Sequence, residues 1–335
     1  MSLLPSRRLG PIAVSAVSLG CMGLNHGYGD FPGEADASRL LNHALDAGVT
    51  MLDTAALYGD GENERLVARA VGHRRREYTL ASKCVLGMFD GKRGLDGRPE
   101  AIARTLDEAL ARLRTDHIDL YYLHRLDRNV PIEESVGALA RAVEAGKIGA
   151  IGLSEMSAAT IRRAHAVHPI AAIQTEFSPC VRNAEVAVFD ACAELGIGFV
   201  AFSPVCRGLL AGAIKAADYP AGDLRGNLPR FTEPNLSHNL KLVARFDAVA
   251  ADAGITPGQL ALGWVLARHP FVVALPGTRN PAHLDENVAA ASLSLSVATL
   301  AAVDAIFVPG ALAGRRYLPA MHAQVDTELL PEEVA

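Results

Sequence analysis

Residues 49–59 read VTMLDTAALYG, residues 78–83 read YTLASK and residues 118–125 read IDLYYLHR. Each is a short apolar run that ends in polar groups: Asp53 and Tyr58, then Lys83, then His124. Near-continuous apolar runs of this length suit parallel strands buried on both faces, which lack the apolar–polar alternation of a half-exposed strand. Similar runs occur at 16–20 (AVSLG), 150–154 (AIGLS), 171–175 (AAIQT), 198–203 (GFVAFS) and 272–277 (VVALPG). Amphipathic helices are expected between them. Ile102, Leu106, Leu110 and Leu113 share one face of 100–113 behind Pro99, a residue suited to the first helical position. Ile132, Val136, Leu139 and Val143 do the same in 132–145, with Gly146 as the stop. Thr256-Pro257-Gly258-Gln259 carries a capping box and opens a helix with Leu260, Trp264 and Leu266.

Eight strands, each followed by helix, predict a single (β/α)8 barrel over residues 1–335. The barrel proper is expected at about 10–306, preceded by an N-terminal hairpin and followed by a tail from about 307 to 335. A doubly wound sheet shares the alternation, but its dinucleotide fingerprint is missing. The glycines of Gly196-Ile197-Gly198-Phe199-Val200-Ala201 enter a strand where the fingerprint must leave one. Residues 204–238, rich in Pro, Gly and Asn, interrupt the alternation as a long loop after the seventh strand, and loops of this length are commonly functional. The tail ends in the acidic pair Glu332-Glu333.

The chain has 32 basic and 37 acidic residues, a formal charge of −5 that advertises neither nucleic acid nor an anionic membrane. No apolar run nears the roughly 20 residues of a membrane span, and MSLLPSRRLG has no signal-peptide core. The five cysteines form no C-x-x-C pair. Such a scattered set suits reduced thiols, a cytoplasmic setting and no metal site.

In barrel enzymes the active site lies at the carboxyl ends of the strands. Those ends here hold Asp53, Tyr58, Lys83, His124, Ser154, Gln174, Phe202 and the Gly277-Thr278-Arg279 step. Taken singly, each has an ordinary reading as a turn, cap or surface residue; their common register on neighbouring strands points to chemistry. A free phenol titrates near pH 10, so a nearby ammonium is expected to lower Tyr58 toward an efficient acid. Asp53 would hold Lys83 charged, and His124 would orient a carbonyl oxygen. Met22, Leu57 and Arg125, with Leu86, Met88 and Phe89, are candidates to line a substrate pocket.

With LDTAALYG (52–59), ASK (81–83), IDLYYLHR (118–125), GKIGAIGLSE (146–155), IQTEFSP (173–179), FSPVCRGLLAG (202–212) and LPGTRNPAHLDENVAA (275–290), the chain resembles the aldo-keto reductases. It is most similar to the microbial and plant branch with an SPxxRGLL loop and a PGT…EN ending. The resemblance implies NADPH-dependent reduction of aldehydes and activated ketones, with Asp53, Tyr58, Lys83 and His124 as the catalytic tetrad. It implies that Ser154 and Gln174 hold the nicotinamide carboxamide and that the ring stacks on Phe202. Ser203, Val205, Arg207, Gly208, Leu209 and Leu210 would lie over the pyrophosphate. Gly277, Thr278 and Arg279 would meet the 2′-phosphate, and Glu286 and Asn287 the adenine. Arg279 favours NADPH over NADH. Glu155 departs from the asparagine of many relatives and would face the substrate or a charged neighbour. Gly277 departs from their phosphate-binding lysine.

Two other readings share these residues. One is a Schiff-base aldolase using Lys83, disfavoured because Asp53 would keep the amine protonated. The other is a cofactor-binding sensor barrel with slow turnover, resembling the barrel subunits of some potassium channels. The expected partner is a small carbonyl compound; the sequence specifies neither a particular substrate nor an oligomeric state.

Overall fold

The computed structural model describes residues 4–89, 91–330 and 333; Met1–Leu3 and the acidic Glu332 lie outside the described residues. A hairpin of β1 (Ser6–Leu9) and β2 (Ile12–Ser15) comes first. The strands β3 (Leu19–Gly20), β4 (Met51–Asp53) and β5 (Thr79–Cys84) follow, and then a second hairpin, β6 (Leu86–Phe89) and β7 (Lys92–Leu95). The remaining strands are β8 (Ile118–Leu123), β9 (Ile148–Ser154), β10 (Ile170–Glu176), β11 (Gly198–Phe202) and β12 (Val272–Leu275). The helices are α1 (Glu34–Asp46), α2 (Glu62–Val71), α3 (Pro99–Leu113), α4 (Ile132–Glu144), α5 (Ala158–Val167), α6 (Val188–Leu195), α7 (Asn235–Asp252), α8 (Pro257–Ala267), α9 (Pro281–Ala290), α10 (Val297–Ile306) and α11 (Pro319–His322).

Strands β3, β4, β5, β8, β9, β10, β11 and β12 pair in that order, all parallel. The sheet then closes on itself. Ala274 N donates to Ala16 O and Ser18 N to Ala274 O, both at 2.9 Å, and Gly20 N donates to Pro276 O at 3.0 Å. The expected (β/α)8 barrel is therefore the fold. The first strand is shorter than the expected 16–20, because Ala16–Ser18 make this closure as a single bridge, Val17 beside Ala274, and not as a ladder.

Each apolar strand serves two cores, since neighbouring side chains leave a strand on opposite faces. On β8, Leu120 and Tyr122 join the barrel interior with Met51, Ala81, Val200 and Val273, while Tyr121 and Leu123 join the layer under the helices. The β1–β2 hairpin stoppers the amino end of the barrel, with Leu9 and Val14 inside the interior cluster. Its approach is so close that a Cβ on Gly198 would fall 2.5 Å from both Arg8 O and Leu9 Cδ2.

The long loop after β11 resolves into short 3-10 turns at Cys206–Ala211, Leu224–Asn227 and Pro229–Phe231, and α7 starts at Asn235, inside the expected loop. The β6–β7 hairpin was not anticipated. Its signal, the Asp90-Gly91 step between two β-capable runs, stands in the sequence. No helix among the described residues is long and apolar enough to cross a membrane.

The hairpin stopper yields a prediction. Gly198→Ala should cost about 1–3 kcal/mol through overpacking against β1 and lower the midpoint of thermal unfolding. An unchanged midpoint would mean that the hairpin shifts without cost.

Candidate active site

The carboxyl ends of β4, β5 and β8 bring Asp53, Lys83 and His124 together, and the turn after β4 adds Tyr58. Lys83 is completely buried. Its Nζ donates to Asp53 Oδ1, to Thr54 O at 2.8 Å and to Tyr58 Oη at 3.5 Å. The second Asp53 oxygen accepts from Gln174 Nε2 at 2.8 Å, across the barrel on β10. Asn63, on the first turn of α2, fixes the turn that carries Tyr58: it accepts from Thr54 Oγ1 (2.7 Å) and donates to Cys21 O (2.9 Å). The Tyr58 ring stacks on His26 (centroids 5.7 Å apart) and meets His124 edge-on at 5.8 Å. Sequence reasoning missed His26, which lies in the loop after β3 with no strand end to mark it.

The electrostatics correct one expectation. Burial pulls Lys83 down, but Asp53 and Tyr58 more than restore it, so its pKa is raised and the ammonium stays charged. Burial raises Tyr58 and outweighs the lowering by Lys83, so in the free protein the phenol sits above its ordinary value and not below it. His124 is held well below the ordinary imidazole value, first by burial and then by Arg125, Lys83 and Arg93, and is neutral. Its buried Nδ1 has no partner, and the Tyr58 proton has no acceptor, among the described residues. A protonated phenol backed by a fixed ammonium and flanked by a neutral imidazole can give a proton to an oxygen that becomes negative.

The expected cofactor residues fall along the rim beside this group. Ser154 and Gln174 end β9 and lie within β10, and Phe202 ends β11, half-buried against the interior cluster. Beyond it Ser203, Cys206, Arg207 and Gly208 have φ of 51°, 49°, 53° and 92°. Three side-chain-bearing residues in the left-handed region within six positions is a strained turn, and such turns gather backbone N–H groups into a concave anion site. Val205 anchors it, its carbonyl accepting from Gly208 N and Leu210 N, while Leu209 and Leu210 are buried beneath. Gly277, Thr278 and Arg279 follow β12 on the exposed side. This backbone-rich donor set fits the phosphates of a dinucleotide.

Several of these side chains have partners that their expected roles did not include. The Arg207 guanidinium is 8% exposed and points inward, donating to Glu176 Oε2 (2.7 Å) and Tyr317 Oη (2.9 Å). The phosphate-suited part of this turn is thus the backbone that the side chain holds. Arg279 Nη1 donates to Tyr28 O (3.2 Å) and Gly29 O (2.8 Å), tying the loops after β12 and β3 together. Glu286 accepts from Thr256 Oγ1, and Asn287 is buried.

Glu155 faces a charged neighbour, not the substrate. Its Oε1 accepts from Arg316 and from Glu176 N (2.9 Å), and its Oε2 from Thr327 Oγ1 (3.0 Å). Arg316 Nε also donates to Glu176 Oε2 at 3.0 Å, and Tyr317 Oη donates there at 2.9 Å. This buried cluster binds the tail to the ends of β9 and β10 and to the turn at Arg207. Only the unexpected acid at 155 hinted at it in the sequence.

Fold and rim together define a class: a (β/α)8 barrel oxidoreductase with a phenol–ammonium pair at the carboxyl ends of its strands and a phosphate-suited turn after the seventh. The chain belongs to the aldo/keto reductase family, whose model matches residues 16–307. It is 40% identical over 339 residues to the NADP(+) aldo-keto reductase yakc of Schizosaccharomyces pombe, covering 98% of this chain and 99% of that one. It is also 40% identical to probable aldo-keto reductase 1 of Glycine max, over 91% of this chain and 88% of that protein. Among solved structures, the glycerol dehydrogenase AKR11B4 of Gluconobacter oxydans superposes with a TM-score of 0.82 at 29% identity, covering 97% of this chain and 98% of that one. The holo form of aldo-keto reductase AKR11C1 from Bacillus halodurans gives 0.73 at 27% identity, over 91% and 97%.

The buried cluster makes acid stability predictable. Arg207 and Arg316 overcome burial and hold Glu176 at about 2, against an ordinary 4.5. A depressed folded-state pKa gives stability that is present above 4.5 and lost as pH falls toward 2, about 3 kcal/mol in all. Glu176→Gln should therefore be less stable than wild type at pH 7 and lose less on acidification from pH 4.5 to 2.5. Equal slopes in urea titrations across that range would rule out this assignment.

Proposed function

We propose that this protein reduces aldehydes and activated ketones to alcohols with NADPH, the whole of residues 1–335 acting as one barrel domain. The observation that carries this reading is the Tyr58 hydroxyl, buried, protonated, without an acceptor for its proton among the described residues and 3.5 Å from a charged Lys83. NADPH supplies a hydride when bound. Tyr58 gives the proton to the carbonyl oxygen, Lys83 stabilises the phenolate left behind, and Asp53 keeps Lys83 charged and aimed. His124, neutral, orients the oxygen by hydrogen bonding. Ser154 and Gln174 are assigned to the carboxamide, Phe202 to the ring face, the Ser203–Leu210 backbone to the pyrophosphate, and Thr278 and Arg279 to the 2′-phosphate. The NADP(+) in the name of the fission yeast relative supports NADPH over NADH. Full burial and pairing of Lys83 weigh against a Schiff base, which needs a neutral, accessible amine. No observation favours the sensor reading.

Tyr58→Phe should lower kcat by about 10²–10⁴-fold while the NADPH Kd, read by fluorescence, changes less than about threefold. Near-normal turnover in that variant would exclude the phenol as the acid. The pH profile carries a second expectation. Reduction needs the protonated phenol, whose pKa is raised, so kcat should stay level through neutrality and decline only above the ordinary 10.0. A decline centred near pH 7 would contradict a buried neutral phenol.

A further inference from the structure

Two arginines at the mouth of this site have no role in the chemistry just described. Arg125 directly follows His124. Its half-buried guanidinium donates to His124 O at 2.6 Å and to Ser154 Oγ at 3.3 Å. Arg93 lies on β7, opposite Met88 on β6. Two pairs along the same hairpin, Leu86 stands opposite Leu95. Residues two apart on a strand share a face, so Arg93 and Met88 project from the face that carries Leu86 and Leu95. That face packs on Leu57 and Tyr58, with Met22 beside them. The hairpin thus hangs over the phenol, its apolar base in contact and Arg93 further out, exposed.

Among the described residues neither guanidinium has a carboxylate partner, whereas about half of the chain's arginines do. Asp53, the one acid among the described residues that acts on the phenol, is spent on Lys83 and Gln174. The charges of Arg125, Lys83 and Arg93 all act on His124, and those of Lys83 and Arg125 on Tyr58. The mouth therefore combines an apolar wall, Met22, Leu57, Leu86 and Met88, with two uncompensated cations.

We infer that the preferred substrates are aldehydes or ketones carrying a carboxylate, with the apolar body against the Leu57–Leu86 wall and the carboxylate held by Arg125 and Arg93. A guanidinium fork matches a carboxylate in shape as well as charge. This rests on the reductase reading and narrows it to a substrate class.

The test compares 4-carboxybenzaldehyde with methyl 4-formylbenzoate, which share a ring and a carbonyl and differ in one negative charge. Full-length protein with NADPH should show a kcat/KM for the acid about tenfold or more above that for the ester, and the preference should shrink between low salt and 0.5 M NaCl. Arg93→Met and Arg125→Met should each reduce the acid-to-ester ratio about tenfold, whatever their effect on absolute rates. Arg93→Lys, which keeps the charge and loses the fork, should fall between Arg93→Met and wild type. Turnover of the ester without preference for the acid, or a ratio untouched by both methionine variants, overturns this inference and leaves the reductase reading standing. Turnover of neither compound, nor of any aldehyde in a wider panel, overturns both.

Discussion

The site depends on a single ammonium kept charged where water cannot reach it. Removing an ion from water costs several kcal/mol unless its hydrogen-bonding capacity is met in full. Lys83 meets it: its three N–H donors have three acceptors, Asp53 Oδ1, Thr54 O and Tyr58 Oη. Asp53 is satisfied in turn, one oxygen on Lys83 and the other on Gln174. The barrel makes this affordable in space. Parallel pairing sets β4 beside β5 in register, Asp53 opposite Ala81, so the acid and the amine two residues on reach one point from adjacent strands.

A second buried cluster gives the rim its shape. Ser203, Cys206 and Arg207 occupy backbone conformations that cost about 1–3 kcal/mol each and persist only where the surroundings over-determine them. The Arg207–Glu176 pair supplies that constraint, and Arg316 and Tyr317 of the tail complete it. The tail is therefore part of the rim: the strained turn that suits phosphate and the last segment of the chain share one carboxylate. A buried ion pair is poor evidence for stability by itself. Here its use is positional, since it fixes the direction of the backbone amides.

How far the sequence discloses this follows from the range of the forces involved. Strand periodicity, the helix signals at Pro99, Gly146 and Thr256, and the polar groups at strand ends are local features, and the barrel and the convergence of Asp53, Tyr58, Lys83 and His124 follow from them. The Thr256–Gln259 capping box is present as read, with both of its bonds formed. The partners of Arg207, Arg279 and Glu155 were not legible, because each lies more than twenty residues away in the sequence. His26 and the Arg316–Tyr317 pair escaped for the same reason. The direction of the Tyr58 shift was misjudged because charges can be read from a sequence and depth of burial cannot.

On the proposed function, that last difference bears on how the phenol would work. An acid for carbonyl reduction must hold its proton in the resting protein and release it only when the substrate oxygen gains electron density. Burial supplies the first condition by disfavouring a free phenolate. Lys83 would supply the second, being already charged and aimed at the phenol oxygen, so a phenolate formed on transfer would meet a fixed cation with no reorganisation. An ammonium that lowered the resting pKa to neutrality would leave about half the molecules without the proton they must give. The structure instead pairs a phenol protected at rest with a charged ammonium beside it. The neutral His124 beside them can donate a hydrogen bond to the same oxygen without adding a charge that would compete with Lys83.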